Sequence, residues 1–178
     1  MTKLLLALAG VVALAIAVTL AVAAHRPDRL SIRRTIAIHA PPEEVFALIN
    51  DFHNWRRWAP QDLEDKSLQR SYGGPAAGRG ALSAWHGAGE SGAGRMQITN
   101  SAAPERVEVT VDFTRPFVAH NINEFTLIAR GDSTQVTWDL TAQNRYSMKV
   151  MGLFVDMGTK IGEHLEKGLA ALKSAAEK

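Results

Sequence analysis

The chain has 178 residues, of which 46% are apolar and 21% charged; this is an ordinary globular composition with enough length to bury a core. It contains no cysteine, so disulfides, thiolate metal sites and cysteine nucleophiles are excluded. The formal net charge is only +2, from 20 basic and 18 acidic residues. Because phosphate binding needs many cations on one face, nucleic acid is not an expected partner.

The chain opens on an uncharged apolar run of 21 residues, Leu4–Ala24. As a helix it would extend about 31 Å at ~1.5 Å per residue, which matches the roughly 30 Å hydrocarbon core of a bilayer. Secretory signals have apolar regions of only about 7–15 residues, so the run favours an uncleaved membrane anchor. Ala21-Val22-Ala23 nevertheless offers an Ala-x-Ala cleavage site, and a cleaved signal with export is the alternative.

Basic residues are concentrated after the apolar run, whereas Lys3 is the only one before it. Four arginines follow the run: Arg26, Arg29, Arg33 and Arg34. The positive-inside rule therefore predicts a single-pass protein of a bacterial-type inner or plasma membrane, with its domain in the cytoplasm. We expect residues 1–29 to be the anchor and a short linker, and residues 30–178 to form one domain.

The domain begins with a predicted strand and two short helices. Leu30–His39 places its isoleucines on one face, which indicates a half-buried strand. Ala40–Glu44 has the prolines and early carboxylates of a helix start. A second short helix is expected to carry Trp55 and Trp58, which would brace both helices against the rim of a sheet.

Antiparallel strands are predicted for the middle of the chain. They cover Ser67–Tyr72, Gly80–His86, Arg95–Asn100, Arg106–Phe113, Val118–Ala129 and a last strand around Trp138. Alternation is clearest in 106–113, where apolar residues at every second position are separated by polar ones. A long helix over Ser147–Ala176 closes the chain and is the only element long enough to cover the sheet, so the fold class is α+β.

The predicted final helix carries four glycines: Gly152, Gly158, Gly162 and Gly168. Each costs about 1 kcal/mol relative to alanine inside a helix. Gly158 and Gly162 lie on the stripe that should face the sheet. They indicate either close helix–sheet packing or room left for a ligand beneath the helix.

Several segments resemble the START-like, polyketide-cyclase/dehydrase-type (SRPBCC) superfamily. They are the runs IAIHAPPEEVF at 36–46 and NDFHNWRRWAP at 50–60, with shorter matches at 92–96, 104–106, 125–127, 134–138 and 151–154. The resemblance covers about residues 32–172. It implies a helix-grip (START/Bet v 1-like) fold, in which a curved antiparallel sheet wraps a long C-terminal helix over a deep apolar cavity. Relatives bind lipids, isoprenoids, polyketides or hormones and some catalyse, so the resemblance indicates fold more than activity.

No catalytic or metal signature is visible in the sequence, and no metal or cofactor is expected. The six histidines form neither an HExxH nor an HxH spacing. The stretch 87–92 matches a dinucleotide-binding glycine pattern, but no helix follows it, so a hairpin loop is the preferred interpretation. A buried acid or base could be His86, His120, Glu124 or Asp139. Glu124 is expected to face solvent, opposite Phe125.

Aromatic and methionine side chains, with one histidine, are the better candidates for a cavity lining. The candidates are Trp85, Phe113, Phe117, His120, Trp138, Met151 and Phe154. Together with the apolar run Leu4–Ala24, such a lining predicts a membrane-anchored protein that binds a hydrophobic small molecule, for which the family resemblance implies a lipid, isoprenoid or polyketide-like compound. Ligands of this kind partition into the bilayer beside the domain. The alternatives are a cyclase or dehydratase acting in the same cavity and a protein-interaction module.

Overall fold

The structure is a computed structural model that describes residues 2–88 and 91–177. Its helices are α1 Thr2–Ala24, α2 Pro42–Asn50, α3 Pro60–Glu64, α4 Tyr146–Met151 and α5 Met157–Ala176, with a 3₁₀ helix over Phe52–Arg57. Its strands are β1 Arg29–Ile38, β2 Gln69–Gly73, β3 Leu82–His86, β4 Ala93–Ala102, β5 Arg106–Arg115, β6 Ala119–Arg130 and β7 Ser133–Gln143. The loop predicted at 87–92 lies partly outside the described residues.

The strands form one antiparallel sheet in the order β1-β7-β6-β5-β4-β3-β2. Strands consecutive in sequence are neighbours from β2 to β7, and β1 joins the open edge of β7. Two register shifts between β4 and β5 mark bulges, which bend and twist a strand pair. Together with the long C-terminal helix, this sheet confirms the predicted α+β, helix-grip fold.

Alternation of side chains separates the two faces of the sheet. On β5, Val107 and Val109 are fully buried on the inner face, whereas Asp112 on the outer face pairs with Arg95 and with His120. The outer face carries further ion pairs, such as Arg33 with Asp139 at 2.6 Å. One face is therefore dry and needs a cover, as the periodicity predicts.

Helix α5 supplies that cover. Its buried stripe contains Leu165, Leu169 and Leu172. The side chain of Asp156 accepts a hydrogen bond from the Thr159 backbone N–H at 3.0 Å, which caps the helix start. At the other end, Glu177 accepts from the backbone N–H of His39, which ties the helix end to the end of β1.

The predicted single helix over Ser147–Ala176 is wrong in one respect, because it is two helices. Helix α4 ends at Met151, with Gly152 as its C-cap, and α5 starts after the capping residue Asp156. A glycine that ends one helix and an aspartate that caps the next are the ordinary signals for a break. Residues 152–156 therefore form a corner.

Trp55 and Trp58 lie deeper than predicted. Trp58 is fully buried and Trp55 nearly so. Their indole N–H groups donate to the backbone carbonyls of Ile49 and Leu48 at 2.9 and 3.0 Å. Both rings make edge contacts with Phe125 on the inner face of the sheet. They form part of the core and do not brace its rim.

Helix α1 is the one helix of the described residues that is long and apolar enough to cross a membrane. Most of its leucines and valines are exposed. A secretory signal sequence has the same features. The hydroxyl of Tyr146 in α4 donates to the carbonyl of Leu20 at 2.9 Å, so the last turns of α1 lie beside α4.

Candidate ligand cavity

A cavity of about 280 Å³ lies between the inner face of the sheet and the side formed by α3, the 3₁₀ helix and the first half of α5. Four aromatic side chains line it: Trp55, Trp85, Phe113 and Trp138. Aliphatic side chains, a proline and a methionine complete the apolar wall: Ala59, Pro60, Met96, Val111, Leu140, Ile161 and Leu165. Six polar side chains also reach it: Gln61, Arg70, Asn121, Asn123, Lys160 and His164.

The aromatic wall is held by ring contacts between strands. Trp85 and Phe113 meet edge to face with ring centroids 5.2 Å apart. Gly94 lies opposite Trp85 in the paired strand, and a Cβ there would collide with the indole. This glycine is therefore required for the position of Trp85, because any other residue would displace the ring from the wall.

Asn123 places a polar group among the rings. Its side-chain oxygen accepts a 2.8 Å hydrogen bond from the Trp138 indole N–H, and both residues are buried. Because an indole can only donate, this bond fixes which end of the Asn123 amide is oxygen. The amide nitrogen has no hydrogen-bond partner among the described residues, so a fixed donor is available at the wall.

A buried ion pair closes another part of the cavity. The guanidinium of Arg70 is 1% exposed and binds Asp62 through two nitrogens, at 2.7 and 2.5 Å. It also donates to the hydroxyl of Ser83 at 3.1 Å. The bidentate geometry neutralises the charge and holds it in place. The cavity wall therefore contains the Arg70 guanidinium, which is held in place and whose charge Asp62 already balances.

The helical side contributes His164 and Lys160. Burial lowers the pKa of His164 below its usual value of 6.5, an effect that Glu64 opposes and Lys167 reinforces. The imidazole is therefore neutral near pH 7 and offers one donor and one acceptor. Lys160 is exposed and lies one turn earlier on α5, at the edge of the cavity. A neutral imidazole beside a cavity is also suited to proton transfer.

The two deeper glycines of α5 allow close packing, and neither lines the cavity. A Cβ on Gly168 would lie 2.7 Å from the Trp138 ring and 3.3 Å from Pro60. Gly162 leaves the space that the Arg34 guanidinium occupies. Of the two explanations that the sequence left open, close helix–sheet packing is therefore the one that the contacts show for Gly162 and Gly168.

The structure brings together three of the seven predicted lining residues: Trp85, Phe113 and Trp138. The other four lie outside the cavity. His120 is on the outer face of β6, bound to Asp112 at 2.7 Å. Phe117 precedes β6 and is 56% exposed, while Met151 and Phe154 lie at the corner between α4 and α5, with Phe154 76% exposed. The sequence predicts one unbroken helix here, whereas the break after Met151 places Met151 and Phe154 at the corner, away from the cavity.

The sequence interpretation missed the polar lining. Asn121 and Asn123 have the same strand parity as Phe125 and Leu127, which the alternation assigned to the inner face. Polar residues at inward positions of a strand were the available signal. Glu124 lies on the outer face as expected and binds Arg106. Among the described residues, no group of three His, Cys, Asp or Glu side chains could hold a metal ion.

A curved antiparallel sheet that closes on a C-terminal helix over an apolar cavity defines the helix-grip class of protein. The chain belongs to the polyketide cyclase/dehydrase and lipid transport family, whose model matches residues 29–177. The predicted resemblance to this superfamily is thereby confirmed. A comparison with curated proteins finds no significant match.

Solved structures share the fold at low sequence identity. The protein CV1439 from Chromobacterium violaceum is 14% identical with a TM-score of 0.60, and the match covers 86% of this chain and 99% of that one. The Aha1 dimer from Colwellia psychrerythraea is 17% identical with a TM-score of 0.57, over 83% and 96% of the two chains. DynU16, from the dynemicin biosynthetic locus, is 14% identical with a TM-score of 0.61, over 86% and 48%. At these identities the comparison establishes the fold alone.

Proposed function

We propose that this protein binds a compact apolar molecule that carries a hydrogen-bond acceptor, in the cavity between the sheet and α5. One observation carries the proposal: three tryptophans and a phenylalanine surround a space that also contains the unpaired amide nitrogen of Asn123. Apolar walls with a few fixed polar groups are the usual form of a small-molecule site. The aromatic rings would supply affinity, and the donor would orient the ligand.

The size of the cavity narrows the ligand class. At about 280 Å³ it is at the lower end of the roughly 300–1,000 Å³ typical of small-molecule pockets. This favours a fused-ring compound or a short acyl or isoprenoid chain over a two-chain lipid. The Asn123 amide nitrogen and the Lys160 ammonium at the edge of the cavity are hydrogen-bond donors, which favours a carbonyl, phenol or carboxylate on the ligand.

The proposal is tested with two probes of the same shape, acetylnaphthalene and isopropenylnaphthalene, in which a CH₂ group replaces the carbonyl oxygen. Equilibrium dialysis against the full chain in detergent micelles should show tighter binding of acetylnaphthalene. An organic extract of the purified protein, analysed by mass spectrometry, should contain a compound of the same class. Equal binding of the two probes would contradict the role of the amide donor.

A filling substitution distinguishes the cavity from surface binding. Val111→Phe places a ring in the lined space and should weaken binding of acetylnaphthalene about tenfold, equivalent to ~1.4 kcal/mol. The matched control is Ile122→Phe, since Ile122 lies on the outer face of β6. His120→Ala is a second outer-face control. If all three variants bound equally, the cavity would not be the site.

We also propose that residues 1–29 anchor the domain, residues 30–178, to a membrane as a single-pass segment with the domain in the cytoplasm. The support is the length and apolar surface of α1 and the arginines that follow it. N-terminal sequencing of the mature protein should return the full sequence. A start after Ala23 would support a cleaved signal and export.

An enzymatic role in the same cavity has one observation in its favour, the neutral imidazole of His164 at the wall. A general base with a lowered pKa would suit a cyclisation or dehydration. Incubating the protein with an organic cell extract and comparing products with those of His164→Gln tests this. Loss of a product with unchanged acetylnaphthalene binding would support catalysis.

A further inference from the structure

The corner between α4 and α5 exposes apolar side chains. Residues 146–155, called here the corner surface, include Tyr146, Met151 and Phe154, which are 48%, 40% and 76% exposed. Large apolar groups grouped on a surface mark a contact with another apolar phase or partner. The position of the corner surface relative to α1 indicates whether it contacts an apolar phase or a protein partner.

The corner surface is continuous with the end of α1. Tyr146 donates to the carbonyl of Leu20 at 2.9 Å, and Arg26 donates to the carbonyl of Gly152 at 2.9 Å. Leu20 is four residues before the end of α1, a rise of about 6 Å along the helix axis. The corner therefore lies level with the last turns of α1 and beside them.

A second apolar pair lies at the same end of the sheet. Ala142 of β7 is paired with both Leu30 and Asn121, so the starts of β1 and β6 lie at the same end of the sheet, on either side of β7. Phe117 and Val118 immediately precede β6 and are 56% and 68% exposed. Phe117 and Val118 are therefore exposed at the end of the sheet where the α1 linker enters β1.

Charge at this end also fits a lipid surface. The Lys149 ammonium of α4 is buried and bound to Asp28 in the linker between α1 and β1, so its charge is already paired. Arg29 and Arg145 are exposed next to it. Aromatic side chains interleaved with arginines are characteristic of segments that lie at the membrane–water interface.

We propose that the corner surface, with Phe117 and Val118, rests in the headgroup region of the bilayer that α1 spans. The domain then contacts the membrane surface directly and is not held there by its linker alone. The inference rests on the proposed anchoring by α1, and it holds whichever side of the membrane the domain occupies.

The absence of cysteine makes the test direct, because each single-cysteine variant carries one label. The full chain is reconstituted into vesicles of phosphatidylcholine with a minor fraction of phosphatidylglycerol. Nitroxide labels are attached at Phe154→Cys and Phe117→Cys, at Asp132→Cys in the β6–β7 turn at the opposite end, and at Val12→Cys within α1. Power saturation then compares collision with oxygen, which enters lipid, and with a water-soluble nickel complex.

We expect labels at Phe154→Cys and Phe117→Cys to collide with oxygen and to be protected from nickel, with the reverse at Asp132→Cys. Nickel accessibility at both Phe positions equal to that at Asp132→Cys would overturn the inference, while oxygen contact at Val12→Cys would leave the anchor standing. Nickel accessibility at Val12→Cys would overturn the anchor and the inference together. Protection from both reagents with spin–spin broadening would indicate a second copy of the chain on this surface, and would also overturn it.

Discussion

The indole N–H of Trp138 on β7 donates a 2.8 Å hydrogen bond to the side-chain oxygen of Asn123 on the adjacent strand β6. The bond lies at the cavity wall and satisfies a buried donor. It also orients the asparagine so that its amide nitrogen is left for a ligand. One cross-strand contact therefore serves the stability of the fold and the polarity of the cavity together.

Removing the acceptor should cost stability. Asn123→Leu leaves the Trp138 N–H buried without a partner, so we expect the free energy of unfolding to fall by about 1–3 kcal/mol. Urea unfolding of the full chain in detergent micelles measures it. Trp138→Phe added to Asn123→Leu removes both partners and should be less damaging than the two single losses summed. Strict additivity would show that the bond contributes nothing.

Gly168→Ala should destabilise the domain although alanine is the better helix former. The gain in helix propensity is about 1 kcal/mol, whereas a methyl group 2.7 Å from the rigid Trp138 ring forces a repacking that costs roughly 1–3 kcal/mol. Gly158→Ala is the matched control on the same helix, because only the Asp156 carboxylate lies within 4 Å of its Cβ. Thermal unfolding should place the Gly168→Ala midpoint below wild type and the Gly158→Ala midpoint level with it or above.

The two acidic residues of α3 should differ sharply in importance. Asp62→Ala leaves the buried Arg70 guanidinium unpaired, which typically costs about 3–5 kcal/mol. Glu64→Ala removes a solvent-exposed pair with Lys167 and should cost ~1 kcal/mol or less. Denaturant titrations of the two variants test the contrast. Equal losses would mean that the Arg70 pair is not held as the structure shows.

His164 should make stability depend on pH in the mildly acidic range. Its folded pKa lies below the ordinary 6.5, so between these two values the unfolded chain binds more protons. Stability is therefore complete above about pH 6.5 and declines as the pH falls through the lowered folded pKa. Unfolding measured at steps from pH 7.5 to pH 5 should show a decline that His164→Gln reduces. Parallel curves for the two proteins would argue against the effect.

Periodicity in the sequence was enough to predict the sheet. The alternation in β5 and the inward isoleucines of β1 appear in the structure with the faces assigned as expected. The family resemblance added the curvature of the sheet around the long C-terminal helix and the cavity between them. Local patterns of this kind predict the structure well because one face of each strand must be buried.

The cavity was only partly predictable, because a cavity depends on which side chains from distant elements fail to meet. Trp55 lines it from the 3₁₀ helix, and His164 lines it from a helix whose start was predicted ten residues too early. Phe154 was predicted to line the cavity, but the helix break at Gly152 places it on the surface. The inward parity of Asn123 was readable, but its bond to Trp138 required the register of β6 against β7.

The distribution of tryptophan has a practical consequence. All four indoles of the chain cluster at one place: Trp55, Trp85 and Trp138 line the cavity, and Trp58 contacts both Trp55 and Trp138. The tryptophan emission of the protein therefore comes entirely from the cavity and its immediate surroundings. A bound ligand that absorbs at the wavelengths of tryptophan emission would quench that emission by energy transfer. The fluorescence of the protein would therefore report whether the cavity is filled.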